Sequence, residues 1–385
     1  MSVAAVSTIS ANRIRLAVSL FYFGQGIGFS SWASRIPDIK QSLHLSDALF
    51  GSILFALPLG QLFTMPVSGR LVAKYGSQKI LTAAAPSYVL ALCFLGLSSS
   101  SWHLVVGLFL FGVIGNMCNI SVNTQGIEAE KLFSKPIMTS FHGVWSLAGF
   151  TGALIGLAMI SLDLNAITHF VIVTVIICLN VFLNYKYLVQ GKSATGLSNS
   201  FFVKPEKNLF QLGLIGFCSM SAEGAMFDWS GIYFKDIVNA PSSLVVLGYA
   251  SFMIMMALGR FAGDTIITKI GRKRTIQYSG LTVFAGMSIS VLFPYLIPAT
   301  LGFMLVGLGV SSIVPTVYSA AGKNKKVSPS MALAMVASVS YFGFLMGPPL
   351  IGYVSEMLNL RYSYAIIGCF GLLVGLLAAK IKALD

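Results

Sequence analysis

Charge is what this chain has least of. Only 10% of its 385 residues are Asp, Glu, Lys or Arg, against 56% hydrophobic. Soluble domains carry roughly 25% charged residues, so a water-soluble globule of this length is excluded. The five cysteines, Cys93, Cys118, Cys178, Cys218 and Cys369, stand far apart inside apolar runs. That spacing offers neither a disulfide framework nor a thiolate metal site, and leaves them as packing residues. No P-loop pattern occurs, and Gly24-Gln25-Gly26-Ile27-Gly28 lies within an apolar run with no strand before it, so it is not a nucleotide loop. The longest polar segment is too short for an ATPase domain, which argues against primary pumping. No nucleophile–base pair or metal cluster can be assembled from the motifs, so the expectation is no enzyme, no cofactor and no metal. The opening MSVAAVSTISAN lacks the charged front and apolar core of a cleavable signal, so insertion is expected through the first apolar run itself.

What is present is a series of apolar runs separated by short polar loops. They predict twelve membrane spans, at about 13–36, 47–71, 79–99, 102–128, 136–160, 166–187, 209–235, 243–268, 274–294, 298–321, 329–356 and 361–380. An even count puts both termini on one side. The odd-to-even loops hold four cations, Arg35, Lys40, Lys235 and Arg361, leaving 21 of the 25 Lys and Arg on the other side. The positive-inside rule then places both termini and the even-to-odd loops on the cytoplasmic side of the membrane. It also accounts for the net charge of +13 without nucleic acid.

One long polar connection, Lys186 to Lys207, divides six spans from six, giving bundles at 1–187 and 208–385 joined by a linker at 188–207. The two halves repeat in phase. Gly76 matches Gly271, and Gly112 and Asn116 match Gly307 and Ser311, all at an offset of 195; Trp145 and Gly156 match Tyr341 and Gly352 at 196, and Trp32 matches Trp229 at 197. A parallel repeat of six spans is a known transporter architecture.

The seventh run carries acids. Glu223 sits roughly 16 to 21 Å from either end of Leu209–Phe234, near the midplane of a layer about 30 Å thick. A carboxylate there costs about 2.5 to 3.5 kcal/mol unless it faces a wet cavity or a partner. Glu223 and Asp228 are therefore the candidate proton-coupling residues; the alternative is a protonated or hydrogen-bonded Glu that joins helices.

The loop Gly69-Arg70-Leu71-Val72-Ala73-Lys74-Tyr75-Gly76 resembles the cytoplasmic Gly-x-x-x-Asp-Arg/Lys-x-Gly signature of the major facilitator superfamily, and Lys269–Arg274 resembles its second copy. The signature acid is replaced by Ala73 in one copy and Thr268 in the other, with Asp264 nearby. SWASRIPDIK at Ser31–Lys40, HGVWSLAG at His142–Gly149, AEGAMFDW at Ala222–Trp229 and MGPPLIGY at Met346–Tyr353 further resemble a bacterial inner-membrane branch similar to the fucose/proton symporter group. The resemblance implies an all-α membrane protein of twelve transmembrane helices in two pseudo-symmetric six-helix bundles. It implies a central cavity lined mainly by spans 1, 4, 7 and 10, and gating contacts at Arg70, Lys74, Asp264 and Lys269.

Asn116, Asn119 and Asn123 fall at i, i+3 and i+7 on one helix face and offer both donors and acceptors. They read as solute ligands or as interhelical hydrogen-bond groups. Gln25 stands at mid-depth in the first span. His142 and Trp145 lie one turn apart, the first a proton carrier or a structural residue, the second a stacking platform or a packing one. Tyr341 is the counterpart of Trp145. Trp229 is an interfacial anchor or part of the site, and Arg35 is expected to pair with Asp228 when the outer side closes. The expected solute-lining set is thus Gln25, Asn116, Asn119, Asn123, His142, Trp145, Trp229 and Tyr341. These residues point to secondary transport of a small polar, sugar-like solute by proton symport, acting as a monomer on solute and protons in a lipid bilayer. The alternatives are a proton-coupled exporter of amphipathic compounds, with Met253, Met255 and Met256 in a greasy pocket, and a non-transporting receptor on the same fold.

Overall fold

In the computed structural model the described residues are 10–133, 137–190, 207–321, 329–381 and 384, and every regular element among them is helical. In chain order these are α1 (Ala11–Ser42), α2 (Asp47–Leu54), α3 (Ala56–Tyr75), α4 (Ser77–Gly96), α5 (Ser101–Glu130), α6 (Met138–Ser161) and α7 (Ala166–Asn184). The second half supplies α8 (Lys207–Asp236), α9 (Leu247–Ile270), α10 (Arg272–Leu292), α11 (Leu296–Ser311), α12 (Ile313–Ala321), α13 (Pro329–Met357) and α14 (Leu360–Lys380). Eleven helical stretches among the described residues are long and apolar enough to cross a membrane. The twelfth span is α1, 32 residues long and interrupted by polar side chains such as Gln25, Ser30, Ser31 and Arg35. Most of the expected 188–207 linker lies outside the described residues.

Local chemistry sets the element ends. Short loops begin helices with a capping side chain: Ser46, Ser100, Asn165 and Asn359 accept from Leu49, His103, Thr168 and Arg361 backbone N–H at 3.3, 3.3, 2.9 and 2.9 Å. Each such cap contributes about 1 kcal/mol. Two spans are broken, and proline explains both. Pro58 has no N–H for the Leu54 carbonyl, where α2 ends, and Pro315 has none for the Ser311 carbonyl, where α11 ends.

The chain forms two compact units. The first holds Met1–Trp32, Ala56–Gly152 and Asp163–Leu197; the second holds Ala33–Phe55, Ala153–Leu162 and Ser198–Asp385. The units therefore do not follow the sequence halves throughout, since 33–55 and 153–162 pack with the second. In the first unit α5 packs on α3 and α4, and α4 on α7. Phe21, Tyr22, Val122, Phe141 and Val181 are part of its core. In the second, α8 packs on α13 and α14, α11 on α9 and α10, and α2 on α13. The α8 span is 72% buried, against 28% for α7, so α8 is an interior helix and α7 a peripheral one. Exposed Val171, Val175, Leu179 and Phe182 recur every three to four residues along α7, the apolar stripe that lipid requires.

The internal repeat is visible atom by atom. A Cβ on Gly112 of α5 would lie 2.1 Å from the Leu57 carbonyl, and one on Gly307 of α11 would lie 2.2 Å from the Phe252 carbonyl. Leu57 and Phe252 are themselves 195 residues apart, so one close helix crossing is built twice. The turns after α3 and α9 repeat as well: Gly76 and Gly271 both take positive φ, 90° and 82°.

Candidate functional site

Each unit carries a polar cluster within its spans that bears on the expected site residues. In the first, the Tyr22 hydroxyl of α1 donates to Asn123 Oδ1 at 2.9 Å, and Asn123 Nδ2 donates to Asn119 Oδ1 at 3.1 Å and to the Asn119 carbonyl at 2.7 Å. The chain of bonds runs one way, and each bond polarises the next, so it strengthens the amide N–H groups at its Asn119 end. Tyr22 is held by its ring, stacked on Phe141 at 5.4 Å with the planes 1° apart, and edge-on to His142 at 5.7 Å. Asn119 and His142 are exposed while Tyr22 is buried, so the cluster presents an amide and an imidazole from an aromatic base. Trp145, half-buried, lies 6.2 Å from Phe29. Asn116 is buried, and its Oδ1 has no hydrogen-bond partner among the described residues. Gln25 Nε2 reaches the Gly115 carbonyl at 3.5 Å. It also borders a cavity of about 10 Å³ between α1, α4, α5 and α7, room for a single water rather than a solute.

The second unit holds the acids. Glu223 of α8 is 8% exposed, and its Oε1 lies 3.2 Å from Arg260 Nη2 of α9. Both side chains are largely removed from water, 10% and 18% exposed, where an unpaired charge would be costly. Asp228, half-buried, stands within electrostatic reach of Tyr249 and Tyr364. The Tyr249 hydroxyl is buried without a hydrogen-bond partner among the described residues. Between the two acids in sequence, Phe227 packs its ring against Tyr249, Phe252 and Phe344 at 6.1, 5.7 and 6.3 Å, and Tyr341 joins Phe344 at 6.3 Å.

Other expected residues land elsewhere. Trp229 is fully buried, its ring edge-on to Phe50 at 5.6 Å. Arg35 Nη1 donates to Asp38 at 2.8 Å, three residues along its own helix. Arg70, Lys74 and Lys269 are exposed, Lys74 5.1 Å above the Tyr75 ring. The side chain of Asp264 lies outside the described residues.

Arg260 and Tyr22 were not singled out from sequence. Arg260 lies eight residues inside the end of the expected span at 243–268, and a cation at that depth is a legible sign of a buried acid partner. Tyr22 read as one more aromatic.

The sequence profile of the Major Facilitator Superfamily matches residues 16–329. The chain belongs to that superfamily. An uncharacterized MFS-type transporter of Yersinia pestis is 30% identical over 369 residues, 96% of this chain and 95% of that one. An uncharacterized transporter of Sinorhizobium fredii is 32% identical over 363 residues, 93% and 95% of the two chains. Among solved structures, the nucleoside transporter NupG matches with a TM-score of 0.80 at 13% identity, over 96% of this chain and 100% of that one, a likeness of fold. The chain is thus a multi-pass membrane transporter and not an enzyme.

Proposed function

We propose that the protein is a proton-coupled symporter of a small, uncharged polar solute. It works by alternating access in the bacterial inner membrane, with both termini in the cytoplasm. The observation that carries this reading is the Glu223–Arg260 pair inside the second unit. A buried carboxylate facing one guanidinium has two self-consistent states. Ionised, it is held by Arg260; protonated, it releases Arg260 to another acceptor. Proton uptake at Glu223 thereby changes the pairing of two helices, α8 and α9, and this gives an imposed proton gradient a structural consequence. Coupling further requires that solute bind the two protonation states with different affinity.

The solute end of the reading rests on the first unit. Tyr22, Asn119, Asn123 and His142 offer hydrogen-bond donors and acceptors beside aromatic rings, which suits hydroxyl-bearing or amide-bearing rings such as sugars and nucleosides. The nucleoside specificity in the name of one fold neighbour is compatible with that chemistry.

The test has two steps. A thermal-shift screen of purified protein against sugars, nucleosides and amino acids identifies a stabilising solute. Uptake of that solute is then followed in proteoliposomes under an inward proton gradient. Gradient-driven accumulation that Glu223→Gln abolishes, while solute exchange at equal pH survives, is the expected result. Accumulation unaffected by Glu223→Gln, or solute extrusion driven by the same gradient, overturns it.

A further inference from the structure

The stretch that leaves α7 is pinned by three other helices of the first unit. Gln125 of α5 accepts the Val189 N–H at 2.7 Å, and its Nε2 donates to the Val189 carbonyl and to Ser77 Oγ, both at 2.8 Å. Gln78, in the first turn of α4, donates to the Tyr185 carbonyl at 3.0 Å. From α1, Arg13 Nη2 donates to Asn184 Oδ1 at 2.8 Å, and its guanidinium carbon lies 3.8 Å from the centre of the Tyr187 ring. Lys186 Nζ stands 5.2 Å from the same ring, and Lys79 follows Gln78 in α4, so three elements bring Arg13, Lys79 and Lys186 to one turn. No carboxylate among the described residues pairs with any of the three, and Arg13 Nη1 is buried without a hydrogen-bond partner among them.

The positive-inside rule explains why cations lie at this end of the spans, but not why they surround a pinned turn with no acid beside it. Uncompensated positive charges repel one another, and an anion relieves that repulsion. The surface leading to the turn tells what kind of anion. Val171, Val175, Leu179 and Phe182 are exposed along α7 at helical spacing, and the next position in that series is Lys186, also exposed. One stripe therefore runs from apolar side chains to a cation, with Tyr185 and Tyr187 at the changeover, as at the boundary between acyl chains and headgroups. A nucleic acid or an acidic peptide matches the cations alone. A phospholipid with an anionic headgroup matches both parts of the stripe.

We propose that Arg13, Lys79 and Lys186 form a binding site for the headgroup of an anionic phospholipid whose acyl chains lie along the exposed face of α7. Basic pockets between transmembrane helices are a recurrent headgroup site, and a guanidinium suits phosphate oxygens. The site depends neither on proton coupling nor on the solute, so its failure leaves the proposed function standing.

Purified protein in detergent micelles is titrated with phosphatidylglycerol and, separately, with phosphatidylcholine of the same acyl chains, bound lipid being counted by native mass spectrometry. Phosphatidylglycerol should bind the more tightly, by about tenfold or more. Arg13 also holds Asn184, so the two exposed lysines carry the mutational arm. Lys79→Gln with Lys186→Gln should weaken phosphatidylglycerol about thirtyfold, from the loss of two charges beside the headgroup. Lys269→Gln with Arg274→Gln removes the same charge from exposed positions of the second unit and should leave the affinity unchanged. Glycerol phosphate at the same concentration, which has the anionic group without acyl chains, should not displace the lipid. Equal binding of the two lipids, equal losses in the two double variants, or displacement by glycerol phosphate overturns the site.

Discussion

Arg260 reaches across from α9 to Glu223 on α8, placing Nη2 3.2 Å from Oε1, and so supplies the partner that an acid inside a span requires. Removing one member of such a pair strands the other. Arg260→Gln is expected to destabilise the protein by about 3 to 5 kcal/mol, or to drive Glu223 to bind a proton permanently. Glu223→Gln with Arg260→Gln together should cost less than Arg260→Gln alone. Thermal unfolding of the purified variants checks the ordering, and a double variant weaker than the single one would show that the pair does not hold these helices.

The paired crossings at Gly112 and Gly307 lead to a symmetric expectation. Their missing side chains let α5 lie on α3 and α11 on α9 with carbonyls at 2.1 and 2.2 Å from the sites a Cβ would fill. A methyl group cannot fit without the helices moving apart, and overpacking of this kind costs about 1 to 3 kcal/mol even where the neighbours yield. Gly112→Ala and Gly307→Ala should therefore lower the unfolding temperature by similar amounts, and Gly112→Leu and Gly307→Leu should abolish a monodisperse gel-filtration peak. A large effect in one half and none in the other would mean that the repeat is not carried into packing.

The spans and the repeat were legible because both are written in single-residue terms: apolar runs about 20 residues long, and glycines whose required closeness recurs at one offset. Glu223 was legible for the same reason, as an acid where lipid permits none unpartnered. Pairings were not. Arg260 and Glu223 are 37 positions apart, and nothing in either stretch names the other. Arg35 shows the other kind of pairing: Asp38, three residues on along the same helix, lies 2.8 Å from its Nη1, a neighbour that helical spacing does name. The packing of residues 33–55 in the second unit rests on partners far off in the chain, such as Gly352 for Gly51, and hydrophobic pattern names no such partner.

Tyr22 shows how a bond chain can be separated from the ring that bears it. Tyr22→Phe keeps the stack on Phe141 but leaves Asn123 Oδ1 without its 2.9 Å donor. The loss of one neutral hydrogen bond should lower stability by about 1 kcal/mol. Because the bond polarises Asn123 and then Asn119, solute affinity should fall further than stability does, with KM raised and kcat little changed. Equal small effects on stability and none on KM would confine the chain to a structural role.

Asn116 offers the sharpest separation of site from scaffold. Its carboxamide is buried at 6% exposure, and Oδ1 accepts no hydrogen bond among the described residues. Leu has nearly the same shape and no polar atoms. Replacing an unsatisfied buried amide by it relieves a desolvation cost of about 1 to 3 kcal/mol. Asn116→Leu is therefore expected to leave the unfolding temperature unchanged or raise it. If the free acceptor is kept for an O–H or N–H of the solute, the same variant should lose solute binding, read as disappearance of the ligand-induced thermal shift. A stabilised variant that still binds solute normally would take Asn116 out of the site, and a destabilised one would show that its amide is satisfied within the bundle after all.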